Sequence, residues 1–159
     1  MSRPLAADQA GNELLDFAFG VEADLDGLDP AIPLPLALVA ALDVEGCLVV
    51  FSRHREHWEL PGGMIEPGES HREAAAREFV EGTGQSADHL EYVGVATFRL
   101  APDQRIEYAA LYRTILTELR PFEPNDEIAQ TRWWQDDDDA EDLASLDAYL
   151  ARVAKLQLT

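Results

Sequence analysis

The sequence predicts an α/β (α+β) chain folded as an α/β/α sandwich, with a mixed β-sheet held between helices. Three observations predict it. Short apolar runs separated by turn residues recur from Leu34 onward, the segments follow the order β-β-β-α-β-β-β-α, and the two helical patterns lie far apart in the chain. The domain is expected to span residues 34–159, preceded by an N-terminal arm over 1–33.

In that arm, Gly, Asp, Ala and Pro dominate, and only Leu14, Leu15, Phe17 and Phe19 offer apolar surface for a short strand or helix. It reads either as a loosely attached segment or as an edge element used in homodimer contacts. Residues 36–42 are continuously apolar, Asp43-Val44-Glu45-Gly46 supplies turn chemistry, and residues 47–51 are apolar again, which reads as a β-hairpin. Trp58-Glu59-Leu60 alternates and is stopped by Pro61-Gly62-Gly63, a strand entering a loop.

Ser70-His71-Arg72-Glu73 is a capping box, so a helix begins at Ser70. Ala74, Ala75 and Ala76 favour it, and Gly82 and Gly84 end it. Residues 90–100 and 106–116 are strand-like and joined by Ala101-Pro102-Asp103-Gln104, and residues 128–134 form a further strand. The acidic run 136–139 then caps a helix whose apolar stripe is Leu143, Leu146, Leu150, Val153 and Leu156. Four consecutive carboxylates point in different directions, so capping and solvation account for them better than a metal site does.

Composition narrows the function. A formal net charge of -19 over 159 residues repels phosphate backbones and argues against a nucleic acid polymer as partner. A smaller phosphate-bearing ligand needs a cation to neutralise the local carboxylates. Cys47 is the only cysteine, which excludes an intrachain disulfide and a thiolate cluster. No apolar run approaches the ~20 residues of a membrane span, and no signal peptide is visible. A cytoplasmic setting without membrane attachment is expected.

Between Gly63 and Gln85 lies the segment that carries chemistry. Gly63 is followed six positions on by Glu69, then by Arg77-Glu78-Phe79-Val80-Glu81 and Gly84. Residues three apart share a helix face, so Glu78 and Glu81 project together and suit one hard, oxygen-seeking cation such as Mg²⁺. A solvated acidic face is the alternative for the two glutamates alone. This window resembles the signature of the Nudix hydrolases, with Trp58 to Gly62 matching the strand and turn that precede it.

The resemblance implies a Nudix-type sandwich and hydrolysis of nucleoside diphosphates linked to another moiety, with Mg²⁺ or Mn²⁺. By that analogy the Gly62 carbonyl, Glu78 and Glu81 hold the metal, and Arg77 anchors the loop through Glu69. Gly63 and Gly84 are the structural glycines of the motif. A further carboxylate from a late loop is expected at Glu127, whose alternative reading is a turn residue at a strand start. Two positions depart from the family pattern: Gln85 replaces a hydrophobic residue, and Gly82 replaces the second glutamate of a Glu-Glu pair.

Around this window, Arg53 and Arg55 are candidates for phosphate contact, or else balance the acidic surface. Trp133 is a candidate for stacking a nucleobase, with core packing as its alternative. The expected activity is metal-dependent cleavage of a phosphoanhydride in a nucleoside di- or triphosphate derivative. Nucleoside triphosphates stand ahead of ADP-ribose, because no substantial extra N-terminal domain is seen. The alternative is a nucleotide-binding or regulatory protein on the same fold, impaired in catalysis by Gly82.

Overall fold

The computed structural model describes residues 3–87, 89–135 and 143–156. Its strands are β1 (Ala6–Ala7), β2 (Glu13–Phe19), β3 (Leu36–Asp43), β4 (Gly46–Ser52), β5 (His57–Glu59), β6 (Gly62–Met64), β7 (Glu91–Leu100), β8 (Arg105–Ile115) and β9 (Ile128–Trp134). The helices are α1 (His71–Thr83) and α2 (Ser145–Leu156), with a short 3-10 turn at Glu22–Gly27. All nine strands join one sheet in the order β1-β2-β7-β8-β3-β4-β5, with β6 paired to the start of β3 and β9 to β4. Pairing of β3 with β8 is parallel and the other ladders are antiparallel, which makes the sheet mixed.

The strand alternation of β3 sorts its side chains onto two faces. Ala37, Val39 and Ala41 join Ala74, Ala75 and Phe79 of α1 in one core. Ala40 and Leu42 join Leu146, Leu150 and Val153 of α2 in the other. One helix therefore covers each face, the expected sandwich.

The predicted hairpin is present as β3 and β4, with Leu42 opposite Cys47 and Asp43 opposite Gly46. The Ser70 side chain accepts the Glu73 N–H while the Glu73 carboxylate accepts the Ser70 N–H, closing the capping box at the start of α1. Of the two glycines expected to end α1, Gly82 lies inside the helix, and Gly84 ends it in the left-handed conformation, with φ 71°. The expected acidic cap at 136–139 falls outside the described residues.

One feature differs from the sequence expectation, and one decides between two readings of it. The Gly62-Gly63 turn is drawn into the sheet as β6, because backbone pairing with β3 needs no apolar side chain. The first segment is an edge element of the sheet: β2 pairs with β7 along its length, and Leu14 is fully buried in the α2-side core.

Candidate active site

β6 runs past α1 so closely that glycine is required. A Cβ on Gly63 would lie 2.5 Å from the Glu78 carboxyl carbon, and one on Gly62 would lie 2.4 Å from the Ala37 carbonyl oxygen. The Glu78 carboxylate thus rests against bare backbone.

Arg77 organises the acidic face of α1. Its Nε and Nη2 donate to the two oxygens of Glu69 at 2.7 and 2.9 Å, and Nη2 also donates to the Met64 carbonyl at 3.0 Å. Its Nη1 donates to Glu78 at 3.0 Å and to Glu81 at 3.2 Å. The fork geometry of guanidinium suits such bidentate carboxylate binding. It holds the Glu69 carboxyl down at about 2, well below the usual range. Glu78 moves the other way: burial raises its carboxyl, Arg77 opposes that, and the nearby charges of Glu81 and Glu127 add to the rise.

A cavity of about 170 Å³ opens beside this face, and Gly62, Glu78, Gly82, Glu127, Glu59 and Arg55 are among its lining residues. The structure therefore brings Gly62, Glu78 and Glu127 together. Glu81 does not line this cavity; its side chain is 57% exposed and meets Glu78 only through Arg77 Nη1. Among the described residues, no group of three or more His, Cys, Asp or Glu is positioned to hold a metal ion by itself. The carboxylates and backbone carbonyls here are hard oxygen donors of the kind Mg²⁺ or Mn²⁺ takes, with phosphate oxygens and water completing the shell. The residues present fit such an ion on those terms.

Glu127 owes its position to Asn125. The Asn125 amide nitrogen donates to the Glu81 carbonyl at 3.1 Å, and its oxygen accepts the N–H groups of Glu127 and Ile128. Arg53, a candidate for phosphate contact, braces this loop: its Nε donates to the Asn125 carbonyl at 2.8 Å. Asn125 lay in the predicted loop but carried no signal beyond its turn-forming residue type.

A second cavity, of about 350 Å³, adjoins the first and shares Arg55, Glu59 and Gly62 with it. Arg55 thus lies between the two, ion-paired with Glu59 at 2.5 Å, while His57 meets the same carboxylate at 3.0 Å. Trp133 lines neither cavity; it packs against the α1-side core, while Trp134 is fully buried in the α2-side core. Asp147 of α2 and Asp8 and Asn12 of the first segment line the larger cavity. None was singled out in the sequence, where Asp147 reads as the polar side of an amphipathic helix.

Residues 34–153 match the family described as NUDIX domain. The chain is 51% identical over 42 residues to an RNA pyrophosphohydrolase of Erythrobacter litoralis, covering 26% of each chain. It is 35% identical over 77 residues to Phosphatase NudJ of Escherichia coli K12, covering 48% of this chain and 50% of that one. The chain thus spans between about a quarter and a half of the length of these curated relatives. In fold it is similar to the NUDIX domain of Shewanella oneidensis NrtR, solved with ADP ribose, at a TM-score of 0.65 and 20% identity, covering 88% of this chain and all of that one.

Proposed function

Because this chain belongs to the Nudix family, we propose that it is a divalent-metal-dependent pyrophosphohydrolase that cleaves a phosphoanhydride in a nucleoside di- or triphosphate derivative. The observation that carries the reading is the 170 Å³ cavity where Gly62, Glu78 and Glu127 meet, joined through Arg55 to a larger cavity suited to the rest of a nucleotide. Glu78, Glu127 and the Gly62 carbonyl would hold Mg²⁺ or Mn²⁺, with Glu81 available at the margin. Bound there, such an ion would neutralise phosphate charge and acidify water.

The protein's own groups do the remaining work. Arg55 meets the phosphate chain where the cavities join. A proton released by the attacking water passes to a lining glutamate. Glu59 is paired with Arg55 and His57, and Glu78 with Arg77, which leaves Glu127 for that role. Arg77 and Glu69 keep the Glu78 carboxylate against Gly63, and Asn125 keeps Glu127 at the end of α1.

A second reading is motivated by Gly82, which forms part of the cavity wall where family members carry a carboxylate: a protein that binds the nucleotide without cleaving it. A Cβ at Gly82 would meet nothing within 4 Å, so a side chain can start there without a backbone clash. Phosphate release is to be measured over nucleoside triphosphates, ADP-ribose and 5′-triphosphorylated RNA, with Mg²⁺ or Mn²⁺. Metal-dependent turnover that falls at least a hundredfold in Glu78→Gln supports the hydrolase. Ligand-dependent thermal stabilisation without product, together with turnover appearing in Gly82→Glu, supports the binder.

A further inference from the structure

We propose that Gln85 is a positioning residue for the reaction: its buried amide clasps the loop that carries Glu127 to the exit of α1. The part played by Glu127 rests on the hydrolase reading above; the clasp itself stands on hydrogen bonds.

Gln85 stands where the Nudix pattern carries a hydrophobic residue, and it is only 3% exposed. An amide buried so far is costly unless both of its ends are paired. Both are. Its Nε2 donates to the Arg120 carbonyl at 2.7 Å, and its Oε1 accepts the Arg120 N–H at 2.9 Å. The two bonds grip the main chain of one residue, as a neighbouring strand would, and together they set which end of the amide is the oxygen. A hydrophobic side chain could fill the same space but could not hold the loop.

The end of α1 is arranged to aim this side chain. Gly84 turns the chain out of the helix in the left-handed conformation. The Gln85 N–H is then taken by the Thr83 hydroxyl at 3.0 Å. In a continuing helix that N–H would bind the Glu81 carbonyl. Its diversion leaves the Glu81 carbonyl to the Asn125 side-chain amide, at 3.1 Å. The loop therefore meets the helix exit at two points, Arg120 on Gln85 and Asn125 on Glu81. Pro121 and Pro124 stiffen the stretch between Arg120 and Asn125 by fixing two of its φ torsions. A loop held at Arg120 is thus held at Glu127 as well.

Gly82 gives the clasp its purpose. Glycine loosens the last turn of α1, and the two contacts lie on either side of it, at Glu81 and Gln85. Glu78 belongs to the helix and Glu127 to the loop, and both line the 170 Å³ cavity. Their separation depends on how firmly loop and helix exit are joined. The two departures of this chain from the family pattern, a glycine at 82 and an amide at 85, act on the same joint.

Gln85→Met keeps the length of the side chain and removes both bonds to Arg120. Without nucleotide, hydrogen exchange at the Glu127 and Ile128 N–H groups is expected to speed up at least tenfold, while Ala75 to Phe79 in α1 keep wild-type protection. Mn²⁺ affinity, read by electron paramagnetic resonance, should fall at least fivefold. In turnover, kcat should fall at least tenfold with KM changed less than threefold. A side chain that only fills space would lower the melting midpoint and leave these three readouts at wild-type values in the folded protein, and that result overturns the proposal. If Gln85→Met does not fold, Arg120→Pro takes its place. Position 120 is exposed and precedes Pro121, which disfavours a helical backbone there, and proline deletes the N–H that Gln85 accepts. Unchanged exchange and Mn²⁺ affinity in that variant overturn the proposal equally. A wild type that turns over no nucleotide sinks the hydrolase reading, and exchange and Mn²⁺ affinity then decide the clasp alone.

Discussion

Asp147 sits in the first turn of α2, where the helix dipole favours a negative charge. Burial outweighs that help and raises its carboxyl to about 7. Glu59 and Asp8 push it further up, while the Leu60 N–H and the Arg55 charge pull it down. The folded protein therefore keeps this proton between its ordinary value of 3.8 and about 7, a range in which the unfolded chain has lost it. Bound protons then favour the folded state, so the contribution from this group falls as pH rises through that window, by at most about 1.4 kcal/mol per pH unit. Below the window and above it, the group adds no slope. Urea unfolding at pH 5 and pH 7 checks this: Asp147→Asn should gain stability relative to the wild type on going from pH 5 to pH 7. An equal difference between the two proteins at both pH values would show that the carboxyl is not raised. Glu69 shows the opposite sign, its carboxyl being held at about 2 by Arg77, so its contribution is present above about pH 4.5 and lost as pH falls toward 2.

In α1, the features written in the sequence and those it hides can be separated residue by residue. The capping box at Ser70 was legible because both of its hydrogen bonds are local. The pairing of Arg77 with Glu69 followed from the family resemblance and is present. The place of Glu81 was not legible: helical spacing puts it on the face of Glu78, but Arg77 Nη1 occupies the space between them. β6 was missed because Gly62-Gly63-Met64 carries no strand pattern, and its pairing is decided by β3. β2 was obscured for another reason, since a register shift between Leu14 and Asp16 breaks the period-two alternation of ELLDFAF. Gly82 carries the prediction at this scale. It lies inside α1 with open space where a Cβ would be, so Gly82→Ala removes backbone entropy without a clash. The variant should be more stable by roughly 0.5–1 kcal/mol, read from the denaturation midpoint. A loss of stability would mean that the cavity wall is tighter than its geometry shows.

Over the whole molecule, the two cores lie on opposite faces of one sheet, and the site opens where β6, the β9 loop and α2 approach each other. The first segment completes this arrangement. β2 adds to the β7 edge with Leu14 opposite Phe98, and both side chains belong to the α2-side core. Phe98 also lines the larger cavity, so the edge strand and the cavity share a wall. A loosely attached arm would tolerate truncation at Leu14 with a change of only a few tenths of a kcal/mol. A strand that fills the core would not, because removing a buried leucine side chain leaves both lost burial and a cavity. Leu14→Ala should therefore destabilise the protein by about 2–5 kcal/mol in equilibrium denaturation. The Phe79 core on the opposite face should stay intact in hydrogen exchange. A change below about 0.5 kcal/mol would show that residues 1–33 are not part of the cooperative fold.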